Sequence, residues 1–282
     1  MNYLVTGASG HFGQAALKQL SKIVDKQSIF ALVRNTAKGA ALSEQGYNVR
    51  LADYNDSEAL ASALMGIDRL LLVSGAPGNR QAEHGNVIQA AKTAKLDYIV
   101  YTSFPEAPNA DNMLAPDHAA TEQMIKDSGI AHTFVRNNWY LENELPLIKI
   151  ALADGSLPFT AGTGRTGWAL RREYAAAAAN VLVQKPEQTV LDFSGPVRTY
   201  TDLAAGLASA VQKPITAKAV SSAEFAERLS AFGMDQGSVD FFLAVQKIIA
   251  DGQLDFPSDD LAQALGEPLA DLPVALKELL AD

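Results

Sequence analysis

Three glycines near the start of the chain have the spacing of a turn that binds phosphate groups. They follow the apolar run Tyr3–Val5 and lead directly into a segment with helical periodicity. Gly7 permits a sharp turn off the strand, Gly10 leaves room for a pyrophosphate, and Gly13 lets helix and strand pack closely. The free N–H groups at the start of the helix then favour an anion. We therefore predict dinucleotide binding, rather than an ordinary strand-to-helix turn, by Gly7, Ser9, Gly10, His11, Phe12 and Gly13.

A basic residue stands at the position that distinguishes the two nicotinamide cofactors. In NAD-binding sheets an acidic residue about 20 positions after the glycines, at the end of the second strand, holds the ribose hydroxyls. Here that position is Arg34, with Lys38 one helical turn further on. A guanidinium can bind a 2′-phosphate through two charge-assisted hydrogen bonds, whereas an acid would repel it. Arg34 and Lys38 thus predict NADPH as the cofactor, the alternative being an arginine solvated in a loop.

Polar residues and a glycine stand where the next strands end. Asp53 follows the third predicted strand, where its carboxylate either accepts a hydrogen bond from an adenine amino group or begins a turn before Asn55. Ser74 and Gly75 end the fourth strand, where Gly75 would let the backbone pass close to a cofactor, unless it marks a plain turn. His84 is expected at the start of the following helix, as a cap or facing the site.

Short apolar runs alternate with helical segments over the first half of the chain. The runs with strand character are residues 3–5, 28–33, 48–52, 69–73, 98–101 and 132–135. Strands that are apolar on both faces indicate a parallel sheet covered by helices on both sides. The sequence therefore predicts an α/β fold with a doubly wound parallel sheet, in which ligands bind at the carboxyl ends of the strands.

The regular alternation ends near Asn137. Prolines and glycines gather between residues 155 and 167, and the helical segments that follow are not regularly paired with strands, although residues 190–193 return to the main sheet. This pattern predicts a smaller, mostly helical C-terminal domain. The predicted boundaries are 1–137 plus 172–197 for the nucleotide-binding domain and 138–171 plus 198–282 for the smaller, substrate-side domain.

Composition and charge argue against several classes of partner. The 282 residues include 32 acidic side chains against 23 of Lys and Arg, and the net charge of −9 argues against nucleic acid or an anionic membrane surface. There is no cysteine, and the four histidines have no short spacing, so no metal site is expected. Because Met1 leads at once into a strand and no apolar run could span a bilayer, we expect a cytoplasmic protein. The sequence leaves a homodimer open.

Longer motifs along the chain together carry a family resemblance. They are Thr6-Gly7-x-x-Gly10-x-x-Gly13, Val33-Arg34-Asn35, Ala52-Asp53-Tyr54, Tyr101-Thr102-Ser103 and Arg136-Asn137-x-Trp139-Tyr140-x-Glu142-Asn143. On these motifs the chain resembles the NmrA-like atypical short-chain dehydrogenases/reductases over nearly its whole length, and among them the type 2 NAD(P)H:quinone oxidoreductases. The glycine motif alone indicates only the superfamily, whereas the last motif is far more specific.

The resemblance implies an NADPH-binding Rossmann domain, a small C-terminal domain and a quinone site beside the nicotinamide. It assigns the ribose and nicotinamide contacts to Ser74, Gly75, Tyr101, Thr102 and Ser103. It places Asn137, Trp139 and Tyr140 beside the reactive ring, with Asn137 and Tyr140 as candidate catalytic residues and the two aromatic residues as candidate substrate contacts. Asn138 replaces the glycine usual in this motif, and we expect it to keep a left-handed backbone while making the substrate pocket smaller.

The chain lacks the acid–base pair of the typical reductases in this superfamily, because no tyrosine is followed by a lysine four residues later. Hydride transfer to an ordinary ketone leaves a strongly basic alkoxide, which requires a positioned acid. A reduced quinone instead leaves a phenolate-like anion with a pKa of about 10, which water or a nearby hydroxyl can protonate. We therefore expect direct hydride transfer from C4 of NADPH to a stacked quinone, without flavin or metal.

The sequence leaves several roles open. His118 lies near the place of the missing acid–base pair, where it either donates a proton or sits on a helix surface. Trp139 and Tyr140 either stack on a quinone or form an aromatic seam between domains. The same chain would also suit a non-catalytic, NADP(H)-sensing regulator of the NmrA type, or a reductase of another activated double bond.

Overall fold

The computed structural model describes residues 1–75 and 78–281. The strands are β1 (Tyr3–Val5), β2 (Ile29–Val33), β3 (Asn48–Leu51), β4 (Arg69–Leu72), β5 (Tyr98–Ser103), β6 (Ala131–Asn137), β7 (Ser156–Phe159), β8 (Val190–Phe193) and β9 (Thr216–Ala219). The helices are α1 (His11–Ile23), α2 (Thr36–Glu44), α3 (Ser57–Leu64), α4 (Arg80–Thr93), α5 (Ala115–Ser128), α6 (Leu145–Asp154), α7 (Arg171–Gln184), α8 (Tyr200–Val211), α9 (Ser222–Ala231), α10 (Gln236–Ala250), α11 (Asp260–Leu265) and α12 (Leu272–Ala281). None of the helices in these described ranges combines the length and the apolar character needed to cross a lipid bilayer.

Seven of the strands form one parallel sheet in the order β3-β2-β1-β4-β5-β6-β8. In its centre β5 pairs with β4 and β6, and all six residues of β5 are buried. A strand buried on both faces needs a cover on both sides. After β3 the chain returns to the other side of β1 to form β4, and this change of direction distributes the connecting helices between the two faces of the sheet. The predicted doubly wound α/β sheet is confirmed.

The core of this sheet consists of apolar side chains from neighbouring strands. Leu4, Leu70 and Ile99 are fully buried, and they pack with Leu64 of α3 and Val87 of α4 in one cluster. Burying a side chain of this size stabilises the fold by about 1.5–3 kcal/mol. The cluster holds the strands rigidly, and with them the loops at their carboxyl ends, where the candidate site residues lie.

The contacts within the chain divide it into two compact units. Unit 1 consists of Met1–Asn137, Arg172–Phe193 and Asp260–Glu267, and unit 2 of Asn138–Arg171, Ser194–Asp259 and Pro268–Asp282. Two segments differ from the predicted boundaries, because residues 194–197 belong to unit 2 and residues 260–267 to unit 1. The second difference has a visible cause: Asp260 accepts a hydrogen bond from the backbone of Asp192 in β8 at 2.9 Å, and the amide of Asn180 donates to two carbonyls of α11.

Unit 2 is mostly helical, as predicted, and has one small sheet of two parallel strands, β7 and β9. Its glycine-rich stretch packs closely against the rest of the unit. A Cβ added to Gly164 would overlap the carbonyl oxygen of Ile249, and one added to Gly167 would overlap the hydroxyl of Ser194. Between these glycines, Thr166 exchanges two backbone hydrogen bonds with Arg198, both at 3.0 Å. The stretch is therefore a packed part of unit 2.

Candidate active site

The glycine turn joins β1 to α1 at the carboxyl edge of the large sheet. Gly7 has a φ of 57°, in the left-handed region that side chains rarely adopt, and its carbonyl oxygen accepts a hydrogen bond from the N–H of Gly10 at 2.9 Å. A Cβ on Gly13 would overlap that same carbonyl oxygen and the backbone of Ala8. The turn thus has the sharp bend and the close packing that the glycine spacing predicts.

The N-terminus of α1 is open to an anion. Its N-cap is Gly10, which has no side chain that could accept from the first N–H groups of the helix. The first turn also contains no acidic residue. Gly7, Gly10 and His11 are exposed, whereas the side chain of Phe12 is buried. A cofactor phosphate would therefore meet backbone N–H groups and the positive end of the helix dipole, and Phe12 would contribute its backbone rather than its ring.

Two basic residues border this turn. Arg34 directly follows β2 and is exposed, and Asn35 caps α2 by accepting a hydrogen bond from the backbone N–H of Lys38 at 3.0 Å. Lys38 lines a cleft together with Ser9 and Gly10 of the glycine turn. The arrangement places positive charge beside the turn, as a site for a 2′-phosphate requires.

Asp53 forms a turn just beyond β3. One of its carboxylate oxygens accepts hydrogen bonds from the backbone N–H and the side-chain amide of Asn55, at 2.9 and 3.0 Å. The backbone hydrogen bond is the largest cause of a lowered pKa for Asp53, and the side-chain one adds to it. Of the two roles left open by the sequence, the structure describes the turn, and the contact with adenine stays a prediction.

Side chains of other elements hold Ser74 and Gly75, which lie in the loop after β4. The N–H of Ser74 donates to the hydroxyl of Thr102 at 2.8 Å, and that hydroxyl donates to the hydroxyl of Ser74 at 3.2 Å. The N–H of Gly75 donates to Nε2 of His84 at 3.2 Å, and its carbonyl oxygen accepts from Nε of Arg80 at 2.9 Å. Helix α4 thus fixes both backbone polar groups of Gly75.

His84 lies in the second turn of α4, not at its start, because the helix begins at Arg80. Its Nε2 accepts from Gly75, so its proton is on Nδ1, which lies 3.0 Å from the hydroxyl of Thr121. Burial, and after it the charge of Arg80, lowers the pKa of His84 to about 4, and the ring is neutral at neutral pH. Sequence reasoning missed Arg80. The signal that could have found it is its spacing of four from His84, which places both on one helix face.

His118 does not lie on a helix surface, so that expectation is wrong. It is buried in α5, and its Nδ1 lies 2.9 Å from the hydroxyl of Tyr101, which is fully buried in β5. Burial lowers the pKa of His118 to about 3, and the nearby Arg80 and His84 add to the effect. Burial also raises the pKa of Tyr101. At neutral pH His118 is therefore a neutral imidazole, which is a poor proton donor, and its role in donating a proton stays a prediction.

Ser103, the last residue of β5, is hydrogen-bonded to one member of a buried ion pair. The hydroxyl of Ser103 donates to the carboxylate of Glu122 at 2.7 Å, and Arg136 binds both oxygens of the same carboxylate, with two distances of 3.0 Å. The side chain of Glu122 is fully buried and that of Arg136 is 11% exposed. Because its proton points to Glu122, Ser103 could contact a cofactor only through its oxygen.

The structure also corrects the expectation for Asn138. Its backbone is not left-handed, and its side chain is buried in unit 2. The amide nitrogen donates to Ser194 at 3.2 Å and to the carbonyl of Leu254 at 3.0 Å, and the amide oxygen accepts from Thr166 at 3.0 Å. These bonds hold the residue in place, so its polar atoms serve the fold of unit 2 rather than the size of a substrate pocket.

The remaining residues of this segment differ in exposure. Asn137 ends β6 and is buried, and Trp139 is 9% exposed, with its indole N–H bound to the carboxylate of Glu144 at 3.1 Å. Tyr140 is partly exposed, and its ring centroid lies 5.4 Å from the guanidinium of Arg171. Among these three residues Tyr140 therefore offers the most surface to a flat ligand.

The carboxyl edge of the sheet in unit 1 thus combines an anion-binding turn, two basic residues and several hydroxyl groups. Among residues 1–75 and 78–281, no three His, Asp or Glu side chains stand close enough to hold a metal ion. The two buried histidines at this edge are neutral at neutral pH. The arrangement is suited to a phosphorylated dinucleotide, and these histidines do not provide a charged acid beside it.

These features are those of a dinucleotide-binding protein, and comparison with known families agrees. A family model described as NAD(P)H-binding matches residues 7–186, and the chain belongs to this family. The matched region begins within the glycine turn and includes β2 to β6 with the loops that follow them.

Individual relatives make the similarity more specific. The chain is 40% identical over 278 residues to quinone oxidoreductase 2 of Escherichia coli (strain K12), a match that covers 98% of this chain and 97% of that protein. The structure is similar to the crystal structure of the E. coli NADPH-dependent quinone oxidoreductase complexed with NADPH, with a TM-score of 0.92, 39% identity and 99% of both chains covered. It is also similar to the Citrobacter sp. triphenylmethane reductase complexed with NADP(H), with a TM-score of 0.93 and 30% identity over 99% of this chain and 100% of that one. The family resemblance stated from the motifs is confirmed.

Proposed function

We propose that this protein is an NAD(P)H:quinone oxidoreductase that uses NADPH to reduce quinones to hydroquinones in one two-electron step. The observation that carries the proposal is the 40% identity, over 98% of the chain, with quinone oxidoreductase 2 of E. coli. The site geometry adds the chemistry: an open anion-binding turn for the pyrophosphate and a carboxyl edge lined with hydroxyl groups for the ribose and nicotinamide.

NADPH is preferred over NADH because of the residues that follow β2. Arg34 binds the 2′-phosphate with its guanidinium, and Lys38 adds a second positive charge from the cleft beside Ser9 and Gly10. A hydrogen bond to a charged group contributes about 1.5–3 kcal/mol, which corresponds to roughly 10- to 150-fold in affinity. Asp53 lies at the next strand end and contacts the adenine.

A quinone suits this site as acceptor because its reduction does not need the tyrosine–lysine acid–base pair that the chain lacks. When bound, NADPH would supply a hydride from C4, with both electrons, for transfer to the quinone, and a proton from water would complete the hydroquinone. The intermediate anion has a pKa of about 10, so water suffices as the proton source. Neither flavin nor metal takes part. An ordinary ketone would require a positioned acid, and His118, whose lowered pKa keeps the imidazole neutral at neutral pH, is a poor proton donor.

The quinone lies against the segment that follows β6. Tyr140 presents the most exposed ring of this segment, and Trp139 forms a second aromatic wall. The carboxamide of Asn137, at the end of the strand, orients a quinone oxygen. The protein then supplies mainly proximity and a dry, planar pocket, which suits a reaction whose acceptor is readily reduced.

The decisive experiment measures NADPH oxidation by the purified, flavin-free protein with a panel of small benzoquinones and naphthoquinones. Turnover with a primary isotope effect from NADPH deuterated at C4 is the expected result, because the hydride itself crosses in the rate-determining chemistry. Turnover only after flavin is added would contradict direct transfer. Absence of turnover with every quinone, in a protein that binds NADPH tightly, would contradict the enzyme assignment.

The neutral state of His84 and His118 is also compatible with a second function, that of an NADP(H)-sensing regulator. A regulator that senses NADP(H) needs the binding turn and Arg34 but no acid at the nicotinamide. Tight and selective binding of NADPH without turnover of quinones or of other activated double bonds would support that role. Turnover of a non-quinone double bond alone would instead indicate the third role considered from the sequence.

A further inference from the structure

Unit 2 buries a carboxyl group that the proposed chemistry does not use. Glu144 ends the short 3-10 helix Leu141–Glu144 and is 1% exposed. Among the residues that the structure describes, no cation contributes to its electrostatics. A buried carboxyl group is costly unless hydrogen bonds compensate for the lost water, so its partners define what it does.

Three neutral donors converge on this one side chain. The indole N–H groups of Trp139 and Trp168 both point to Oε1 of Glu144, at 3.1 and 3.2 Å. The hydroxyl of Tyr200 lies 3.1 Å from the same oxygen and 3.2 Å from Oε2. One oxygen atom therefore sets the direction of two indole rings that are distant in the chain.

The two indole contacts do not depend on the protonation state of the carboxyl group. Burial raises the pKa of Glu144 to about 7, so both states are populated near neutral pH. When the group is ionised, Oε1 accepts from both indoles. When it is protonated on Oε2, the new O–H can donate to the oxygen of Tyr200, and Oε1 still accepts as a carbonyl oxygen. Burial also keeps Tyr200 protonated by raising its pKa.

The backbone around Trp139 is tied down separately. The N–H of Leu141 donates to the carbonyl of Ala169 at 2.9 Å, and the carboxylate of Glu142 accepts from the backbone N–H of Arg171, with both distances at 2.9 Å. These bonds place the Cα of Trp139 but leave its side-chain torsions to be set. The bond from its indole to Glu144 sets them, because a rotated ring would leave a buried N–H without its acceptor.

We propose that Glu144 is a positioning residue that fixes the ring of Trp139 in the orientation needed to hold the quinone. It acts through Trp139 and does not touch the reacting atoms. The inference rests on the proposed function, since it requires that Trp139 faces a quinone. It assigns a role in substrate binding to a residue that would otherwise be a part of the core.

The test compares quinone and NADPH kinetics in matched variants. Glu144→Met keeps the length of the side chain and removes the acceptor, and we expect the KM for the quinone to rise about 10-fold because a misplaced ring loses its contact, with the KM for NADPH unchanged within about 2-fold. Glu144→Gln keeps an oxygen acceptor and should restore the quinone KM to within about 2-fold of the parent protein. Trp168→Phe removes the other indole from the same oxygen and should leave the quinone KM unchanged.

A double variant separates positioning from a general effect on the core. If Glu144 acts through Trp139, then Glu144→Met should have no further effect on the quinone KM in a Trp139→Phe background. Additive effects would overturn the proposal, as would an unchanged quinone KM in Glu144→Met. If Glu144→Met does not fold, Glu144→Asp takes its place, because it keeps the carboxylate but withdraws the oxygen by one methylene. Failure of the parent protein to turn over any quinone would refute the proposed function itself, and that result is distinct from turnover without the expected KM pattern.

Discussion

Units 1 and 2 each bury a glutamate, and they compensate its charge in different ways. In unit 1 Glu122 meets a full positive charge, because Arg136 binds both of its carboxylate oxygens. In unit 2, within the described part of the chain, Glu144 meets only neutral donors, namely two indoles and a phenol. Neutral donors stabilise a carboxylate less than a guanidinium does, and burial therefore raises the pKa of Glu144 to about 7.

The difference shows that the chemistry of the donors, more than the depth of burial, decides what a buried acid can do. The ion pair of unit 1 joins α5 to β6 and orders the hydroxyl of Ser103 at the cofactor edge. The carboxyl group of unit 2 can exchange a proton near neutral pH while it continues to hold the indoles. A charged partner suits a fixed scaffold, and neutral partners suit a site that must tolerate a change of protonation.

The largest effect is expected from removing the charged partner in unit 1. Arg136→Met would leave Glu122 buried without a cation, and breaking a buried pair in this way costs about 3–5 kcal/mol in the free energy of unfolding. Urea unfolding measures the change. The matched control is Arg165→Met, because Arg165 is 49% exposed in its ion pair with Asp255, and the loss there should be below about 1 kcal/mol. Equal losses in the two variants would contradict the comparison.

The second largest effect is a pH dependence of the free energy of unfolding that the ionisation of Glu144 causes. Its pKa is raised from 4.5 to about 7 by folding, so the folded protein holds this proton more tightly than the unfolded chain does. The resulting stability is fully present below about pH 4.5 and is lost as the pH rises through about 7, by roughly 3 kcal/mol in all. Glu144→Gln has no proton to lose. Between about pH 5 and pH 8 the free energy of unfolding of the parent protein should therefore fall relative to that of Glu144→Gln. A constant difference between the two proteins across this range would refute the expectation.

A third case is an exposed cation at the carboxyl edge of the sheet. Arg34 is exposed at the end of β2, and the proposed partner of its guanidinium is the 2′-phosphate. Arg34→Ala should raise the KM for NADPH by about 10- to 100-fold and spare the KM for NADH. The control is Arg50→Ala, which removes an arginine within β3 and should change neither value. If both cofactors suffered equally from Arg34→Ala, the 2′-phosphate would be bound elsewhere.

The smallest effect is expected at His118, where a buried base is kept neutral. Because burial lowers its pKa to about 3, we expect it to give no proton to the product at neutral pH. His118→Asn can keep the hydrogen bond to Tyr101, and we expect kcat to fall by less than about 5-fold. The rate should also keep its pH profile between about pH 6 and pH 8. A loss of about 100-fold or more would restore His118 to the role of proton donor.

The parts of the molecule that could be predicted from the sequence are those that depend on the spacing of residues close together in the chain. The three glycines lie within seven residues, and the strands of the main sheet are recognisable as short apolar runs. The position of Arg34 directly after β2 could be predicted because it is set by the length of one strand–helix–strand unit, whereas its contact with a 2′-phosphate stays a prediction. Local patterns of this kind need no knowledge of distant contacts.

The buried polar residues could not be predicted, because their partners are far away in the chain. Glu144 meets Trp168 and Tyr200 from 24 and 56 residues away, and His118 meets Tyr101 from 17 residues away. A histidine on a predicted helix therefore looked like a surface residue. The expectation of a left-handed backbone at Asn138 came from the glycine usual at its position in the motif, whereas its backbone is not left-handed and its amide bonds to three distant residues.

The convergence of both indoles on Glu144 has a spectroscopic consequence. The chain contains two tryptophans in all, and each donates to the same carboxyl oxygen. Excited indoles respond strongly to a charge at their N–H, so the intrinsic fluorescence of this protein should report the ionisation of a single side chain. Proton exchange at Glu144 could then be followed as a shift in the emission wavelength, with no label attached.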